Sequence, residues 1–554
     1  MFRRIIRLFA VAVALSLIAF PASSAPPPRS FGASPFLARV SQIAAVRHFL
    51  AHPEDAPPQL APRFAGAADA TAASVRTAAG AQQEGLLADR FNLDDVGFPQ
   101  NEEAVTVCED NVLSGTNDYR GLLDPQGNFT GWHLSTDGGA TVQKEGLLPP
   151  VPGREGSLPS GGDPVVQSVS TPRCIFYAAS LNYGPDPFME GQNGIGLYRT
   201  TIRRLRQCPA GEDPDALTVP SCWPTRRLVA TAEVIGGVGQ FLDKEWFDVG
   251  RSGDAGRVVW VAYADFASDV NAPLGFTGAQ IKAVRCDEFL RTCTDPILIS
   301  GRDEDIQFAD VTISDTGRTI ISWVQIEGGL EQTAQTFTVK LRVAEPGSTT
   351  FAPTRTVAVE TNPLPFGGFL HANDFRTATY PKVIAPLVGG DERIFVTWDR
   401  CRFRLFDSVC EEPEIVLTFS DDLGVTWAPQ RTVSAGGDNY FPAITDERGT
   451  RDFGMAWFTN RFDPMFHNRV DVEMVLVDSQ TGAVVRRQRV TGLSNESEAD
   501  PVLGGFFIGD YIDVHLRRGL AYVAYNANYR KIRVLGQGFP IPQQDNYLTI
   551  VPTA

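Results

Sequence analysis

Four arginines stand where an anion could be gripped. Arg120, Arg400, Arg461 and Arg530 each follow a short β-rich run, as in Asn117-Asp118-Tyr119-Arg120 and Val396-Thr397-Trp398-Asp399-Arg400. A guanidinium binds a carboxylate through two parallel, charge-assisted hydrogen bonds. If the runs are equivalent elements of one repeating structure, the four side chains come round to one face and converge on a substrate anion. The blander alternative pairs each with a local carboxylate such as Asp118 or Asp399. Carboxylates open other β-rich runs at Asp163, Asp243, Glu245, Asp438 and Asp510, with Tyr440 and Tyr511 beside two of them. Tyr511 is a candidate nucleophile with Glu245 or Asp510 as its partner in proton transfer. Against this, an Asp ahead of a strand commonly caps a turn. His371 and His515 are candidate bases for proton abstraction. Asp243 and Asp248 are the first choice for a structural calcium, which prefers hard oxygen ligands; no cofactor is required. The chain has no Gly-x-Ser-x-Gly elbow, phosphate loop or His-Glu-x-x-His. Gly236-Gly237-Val238-Gly239 opens no helix and reads as a loop.

The elements that carry these residues recur. From Asn101 onward a unit repeats: a strand with a polar or turn-forming start, a polar turn, then an alternating strand ending in an aromatic. Seven versions begin near Glu103, Asp163, Asp243, Phe308, Tyr380, Asn439 and Gly509, roughly 60 to 80 residues apart. Helical periodicity is nearly absent. Such a period predicts an all-β propeller with one four-stranded sheet per blade. A stack of β-sandwiches fits poorly, because each unit is too short to bury two sheets. Seven blades are favoured, and six result if the first and last units share a blade.

Arg3, Arg4 and Arg7 precede an apolar run from Leu8 to Phe20 and the small residues Ala22, Ser23, Ser24 and Ala25. That order predicts a signal peptide over 1–25, hence a secreted or periplasmic protein; a membrane anchor is the alternative for so short a run. Residues 26–95 are rich in Ala and Pro and read as a flexible leader, with one amphipathic helix available over Ser34 to Leu50. The propeller then occupies 96–554. The chain holds 49 basic and 65 acidic residues, and loss of the first 25 removes only basic ones. So acidic a surface disfavours nucleic acid and anionic membrane as partners. No later stretch is apolar enough to insert into a membrane, and a monomer is expected.

Eight cysteines in an exported chain predict disulfides. Proximity pairs Cys208 with Cys222, Cys286 with Cys293, and Cys401 with Cys410. Cys108 and Cys174 remain, in equivalent turns of neighbouring units, where a bond would staple adjacent blades. With no Cys-x-x-Cys and six His, a zinc site is not expected.

Ser420-Asp421-Asp422-Leu423-Gly424-Val425-Thr426-Trp427 follows the strand Glu414 to Phe419, and Ser135-Thr136-Asp137-Gly138-Gly139-Ala140-Thr141 holds the same place in the first unit. Asp478-Ser479-Gln480-Thr481-Gly482 is a degenerate third copy. Ser and Asp side chains accept from the N–H groups of a tight loop, and Gly takes a φ that other residues resist. Both segments match the Asp-box, Ser/Thr-x-Asp-x-Gly-x-Thr-Trp/Phe, the second lacking only its aromatic. The chain from Asn101 to Val551 therefore resembles secreted bacterial proteins of the sialidase superfamily with BNR (Asp-box) repeats. Ser114 to Arg120, Asp243 to Trp246 and Gly509 to Ile512 resemble, more loosely, phrases of that group. The resemblance implies a propeller whose boxes brace its outer rim. It also implies a glycoside hydrolase acting on acidic glycans, with arginines on a sugar carboxylate, a tyrosine nucleophile and an Asp for acid/base catalysis. The Phe/Tyr-Arg-Ile-Pro motif usual in sialidases is absent. Two other functions fit the same scaffold: a non-catalytic propeller that binds cell-surface glycan or protein, and a polysaccharide lyase in which arginine neutralises a uronate.

Overall fold

The structure is a computed structural model. It describes residues 41, 43, 44, 47, 52, 90–93 and 97–553, except 154–155, 171–172, 188–190, 210–216, 236–237, 269–275, 304, 329–334, 363–367, 371–372, 374, 402–411, 504, 506 and 534–537. Seven antiparallel sheets follow one another along the chain as a seven-bladed β-propeller. The innermost strands are Gln100–Cys108, Val165–Val169, Val238–Arg251, Asp305–Ile313, Lys382–Ile384, Asn439–Thr445 and Asp513–Arg517. Each pairs with the strand that follows in its own sheet, and six sheets continue outward through a third and fourth strand.

The second strand of each blade is buried on both faces, which is why it reads as a nearly unbroken apolar run rather than an alternating one. Ile175–Tyr183 is buried throughout. Trp323, Trp398 and Trp457 occupy one register: each follows the residue paired with the inner strand at Asp310, Lys382 and Ala443. They are at most 1% exposed. Trp398 packs with Val339 and Leu341 of the fourth blade, and Trp457 with Phe395 and Leu417 of the fifth. These repeated aromatics fill the wedges between neighbouring blades.

The seventh blade has three strands of its own, ending in Ile541–Pro552. Its outer edge is completed from upstream: Arg90 bridges to Tyr547, and the Phe91 amide donates to the Asn546 carbonyl at 2.8 Å. Phe91 is buried with Val105, Val107, Tyr522 and Leu548. The ring thus closes through residues ahead of the expected boundary at 96. The described leader residues also differ from a solvated spacer: Ser41, Ile43 and Ala44 are fully buried and Arg47 nearly so. Among the described residues no helix is long and apolar enough to cross a membrane.

Cys108–Cys174 joins the first and second blades as expected, while Cys208–Cys222 and Cys286–Cys293 close outer hairpins. Cys401 is also disulfide-bonded; Cys410 lies outside the described residues. The Ser420 to Trp427 turn is built as its chemistry requires. Ser420 Oγ accepts from the Gly424 amide at 2.8 Å, and Asp422 accepts from the Thr426 amide and hydroxyl at 2.8 and 2.6 Å. Ser135, Asp137, Gly139 and Thr141 repeat those bonds. Asp287 does similar work unannounced, accepting from the Phe289, Arg291 and Thr292 amides inside the Cys286–Cys293 hairpin.

Along the axis the inner strands enclose a cavity of about 180 Å³ whose lining includes Asp248, Asp310, Lys382, Asp446, Asp513 and His515. Three of these carboxylates staple blade to blade. Asp513 accepts from the Val105 amide, Asp310 from Val383 and Asp248 from Ile313. Burial pushes Asp310 and Asp446 up to about 6 and Asp513 to about 7.

Two expectations follow from this architecture. These carboxyls hold a proton more tightly folded than unfolded. The stability they contribute is therefore full below the unfolded value near 3.8 and lost as pH rises through about 6 to 7. Thermal unfolding followed from about pH 5 to pH 8 should show a falling Tm; a Tm that rises across that range contradicts the assignment. Replacing Cys108 and Cys174 together by Ser should cost about 3–5 kcal/mol in denaturant unfolding, since the bond closes a long loop between blades.

Candidate functional site

Near its start, the inner strand bends in the same way in most blades. Glu102, Asp163, Lys244, Phe308 and Phe441 all have left-handed φ between 50° and 60°, beside β-bulges in the first, third, fourth and sixth sheets. A bulge adds a residue and re-aims the side chains around it. The bulges aim Glu102 and Lys244 into one cluster, which Asp163 joins from ahead of Val165–Val169 and Asp510 from the loop ahead of the seventh blade.

Lys244 Nζ lies 3.1 Å from Asp163 Oδ2 and 2.5 Å from Asp510 Oδ2. Arg376, from a hairpin ahead of the fifth blade, donates from Nε to Asp510 Oδ1 at 2.9 Å and from Nη2 to Oδ2. Its guanidinium stacks 4.8 Å over Phe507. The Asp510 amide donates to Glu102 Oε1 at 3.1 Å, and Asn117 Nδ2 donates to Glu102 Oε2 at 2.6 Å. Aromatic rings stand against this charged half: Tyr380 lies 3.9 Å from Phe308 and 5.9 Å from Phe441, centroid to centroid. The Tyr380 hydroxyl and Asp163 Oδ1 have no hydrogen-bond partner. Every one of these groups is at most 6% exposed.

Burial drives the electrostatics, and neighbours decide its outcome. Burial alone would raise Asp510, but Arg376 and then Lys244 outweigh it and hold the carboxyl well below the usual range. Burial raises Glu102 well above that range; Asp163 adds to the shift and Lys244 opposes it. The Asp510 amide ties that residue to Glu102, and the two neighbouring carboxyls are pushed in opposite directions, Glu102 up by burial and Asp510 down by its cations. Burial also lifts Glu103 and Glu245 and pushes Asp243 to about 8 against the pull of Lys244.

Of the residues singled out in the sequence, Asp510, Asp163, Asp243 and Glu245 fall in or beside this cluster. Both Glu245 oxygens lack hydrogen-bond partners. The Tyr511 ring meets Trp246 edge-on at 5.4 Å, and its hydroxyl donates to the Pro164 carbonyl at 2.8 Å. A carbonyl cannot take that proton, so Tyr511 stands here as a strut between blades. Asp438 accepts from the Glu412 amide and Asn460, and Tyr440 is buried among Phe375, Phe441 and Phe458.

Among the described residues, Arg120, Arg400 and Arg461 pair with different carboxylates. Arg120 is buried against Asp118 and Glu145. Arg400 reaches Glu414 at 3.4 Å and Glu360 at 3.6 Å, and Arg461 reaches Glu473 at 2.6 Å. Arg530 sits opposite Gln543 on the last strand, where burial raises Asp545 and the Arg90 and Arg530 charges oppose that rise. Asp243 accepts from the Ser41 amide. Asp248 accepts from Ile313 and Val249, so main-chain donors take the oxygens that a calcium ion would need. Among the described residues no group of three His, Cys, Asp or Glu could hold a metal ion. His515 lines the axial cavity, and burial pushes it down to about 4, leaving it neutral. His371 lies outside the described residues.

Three contributors escaped sequence reasoning: Glu102, Lys244 and Arg376. Lys244 sits inside Asp243-Lys244-Glu245-Trp246, where simple alternation puts it on the opposite face from its acidic neighbours. Glu102 precedes Glu103 in the same relation to the first bulge. Arg376 belongs to no repeat, and its only signal is a basic residue four positions ahead of Tyr380.

No protein-family model matches the chain, and no curated protein matches its sequence. Several solved structures are similar in shape. An α-L-arabinofuranosidase of Fusarium graminearum is 12% identical with a TM-score of 0.41, over 71% of this chain and 99% of that one. A Hadza microbial sialidase is 12% identical with a TM-score of 0.35, over 65% and 63%. An ulvan lyase is 9% identical with a TM-score of 0.40, over 84% and 96%.

Proposed function

We propose that the protein is an exported glycoside hydrolase whose site is the axial cluster of Glu102, Asp510, Asp163, Lys244 and Arg376. One observation carries the reading: Glu102 and Asp510 are buried side by side, the Asp510 amide on Glu102 Oε1, with burial pushing Glu102 up while Arg376 and Lys244 pair with Asp510 and hold it down. Glycoside cleavage asks for that pair, an acid to protonate the leaving oxygen and a carboxylate to stabilise or attack the anomeric carbon. Glu102 takes the role of acid and Asp510 that of carboxylate. Tyr380, packed against Phe308 and Phe441, is the aromatic ring beside these charged groups. Lys244 and Arg376 already pair with carboxylates, which favours a neutral glycan over the acidic one that the arginines suggested. The sialidase-like resemblance of the Ser135 and Ser420 turns supports a glycan partner without naming the sugar. The signal-like residues 1–25, the leader 26–95 and the disulfides support export.

A second reading has one observation behind it. The cluster is so thoroughly buried that it would also serve a non-catalytic glycan-binding propeller as an ion-pair clamp. A lyase gains nothing here, since His515 lies in the axial cavity rather than in the cluster.

The test is hydrolysis of a panel of 4-nitrophenyl glycosides and neutral and acidic polysaccharides. Glu102→Gln and Asp510→Asn should each lower kcat by about 10²–10⁴-fold with circular dichroism unchanged. Turnover that survives both substitutions contradicts the assignment, and no turnover with retained glycan binding moves the protein to the second reading. Arg376→Ala, which strips Asp510 of its bidentate partner, should cost about 3–5 kcal/mol of stability in denaturant unfolding.

A further inference from the structure

A short upstream segment packs against one side of the cluster. Ser41, Ile43 and Ala44 are 0% exposed and Arg47 is 7% exposed, within the Ser34 to Leu50 stretch whose pattern suits an amphipathic helix. The Ser41 amide donates to Asp243 Oδ2 at 3.1 Å. Ile43 and Arg47 are helical and one turn apart, so they share a face. Ile43 seats on Gly162, the neighbour of Asp163. A Cβ at Gly162 would come 2.9 Å from Ile43 Cγ1, and the residue's φ of +100° also requires glycine. Arg47 donates to the Tyr183, Gly184 and Gly127 carbonyls, bridging loops of the first two blades, and its guanidinium lies 5.1 Å over Phe129.

We propose that this segment is a displaceable plug: Ser41, Ile43 and Arg47 occupy the entrance to Asp163 and Asp243, and substrate enters only when they leave. The inference rests on reading the cluster as a hydrolytic site. Two features distinguish a plug from ordinary core. The fit is incomplete, because Asp163 Oδ1 and Asp243 Oδ1 stay buried without hydrogen-bond partners, and a polyhydroxylated ligand would supply the missing donors. The anchor is also a buried cation seated on three neutral carbonyls, and burial lowers its affinity for the proton although the Tyr183 and Asp124 charges partly oppose that.

The full-length chain is compared with its Ser41→Pro and Ile43→Asp variants. The first removes the amide donor and the second puts a charge on Gly162. Three quantities are followed: nitration of Tyr183 by tetranitromethane, mapped by peptide, turnover of the 4-nitrophenyl glycoside panel, and Tm. A plug predicts Tyr183 nitration and turnover each rising about tenfold or more in at least one variant that still unfolds cooperatively. Faster nitration without turnover upholds the plug and removes the hydrolase reading. Unchanged nitration in both variants, or loss of cooperative unfolding in both, overturns the proposal and makes the segment part of the core.

Discussion

The Asp510 carboxylate, shared between Lys244 and Arg376, is the contact on which the centre of the molecule depends. Lys244 reaches it from the third blade, Arg376 from the hairpin ahead of the fifth, and Asp510 itself precedes the seventh. Through Lys244 the pairing extends to Asp163 ahead of the second blade, and through the Asp510 amide to Glu102 in the first. One buried network therefore registers five blades against a common axis. Desolvating so many charges is expensive, and a well-packed apolar centre would serve stability as well or better.

The ring around that centre obeys simpler rules. Aromatics on the second strands fill the wedges between blades. The Asp422, Asp137 and Asp287 turns brace outer hairpins, with disulfides in two blades. Closure comes from residues 90 and 91 pairing with the last strand. None of these devices touches the axial cluster, so the rim that makes the sequence look sialidase-like says little about what happens at the hub.

That division explains what could be read from the residues alone. Strand pairs ending in aromatics, seven turn-delimited units and three of the four cysteine pairs were legible, because each rests on local spacing. The cluster was half legible. Asp163, Asp243, Glu245 and Asp510 stand out as carboxylates at strand starts. Lys244 and Glu102 were missed because a left-handed residue within a bulge overturns the two-residue alternation from which side-chain direction is inferred. The arginines were chosen by position after the second strand, but each has carboxylates within reach there, and the pairing that costs least is the nearest. Packing of Ile43 on Gly162 joins residues more than a hundred positions apart, and no local pattern announces it.

The central claim is that Glu102 is protonated at neutral pH while Asp510 beside it is ionised. Infrared difference spectroscopy tests it most directly, comparing the wild-type protein with Glu102→Gln and Asp510→Asn near pH 7. The account predicts a protonated-carboxyl band that disappears in Glu102→Gln, while the band lost in Asp510→Asn is that of an ionised carboxylate. A Glu102→Gln spectrum that loses only ionised-carboxylate absorption would contradict it.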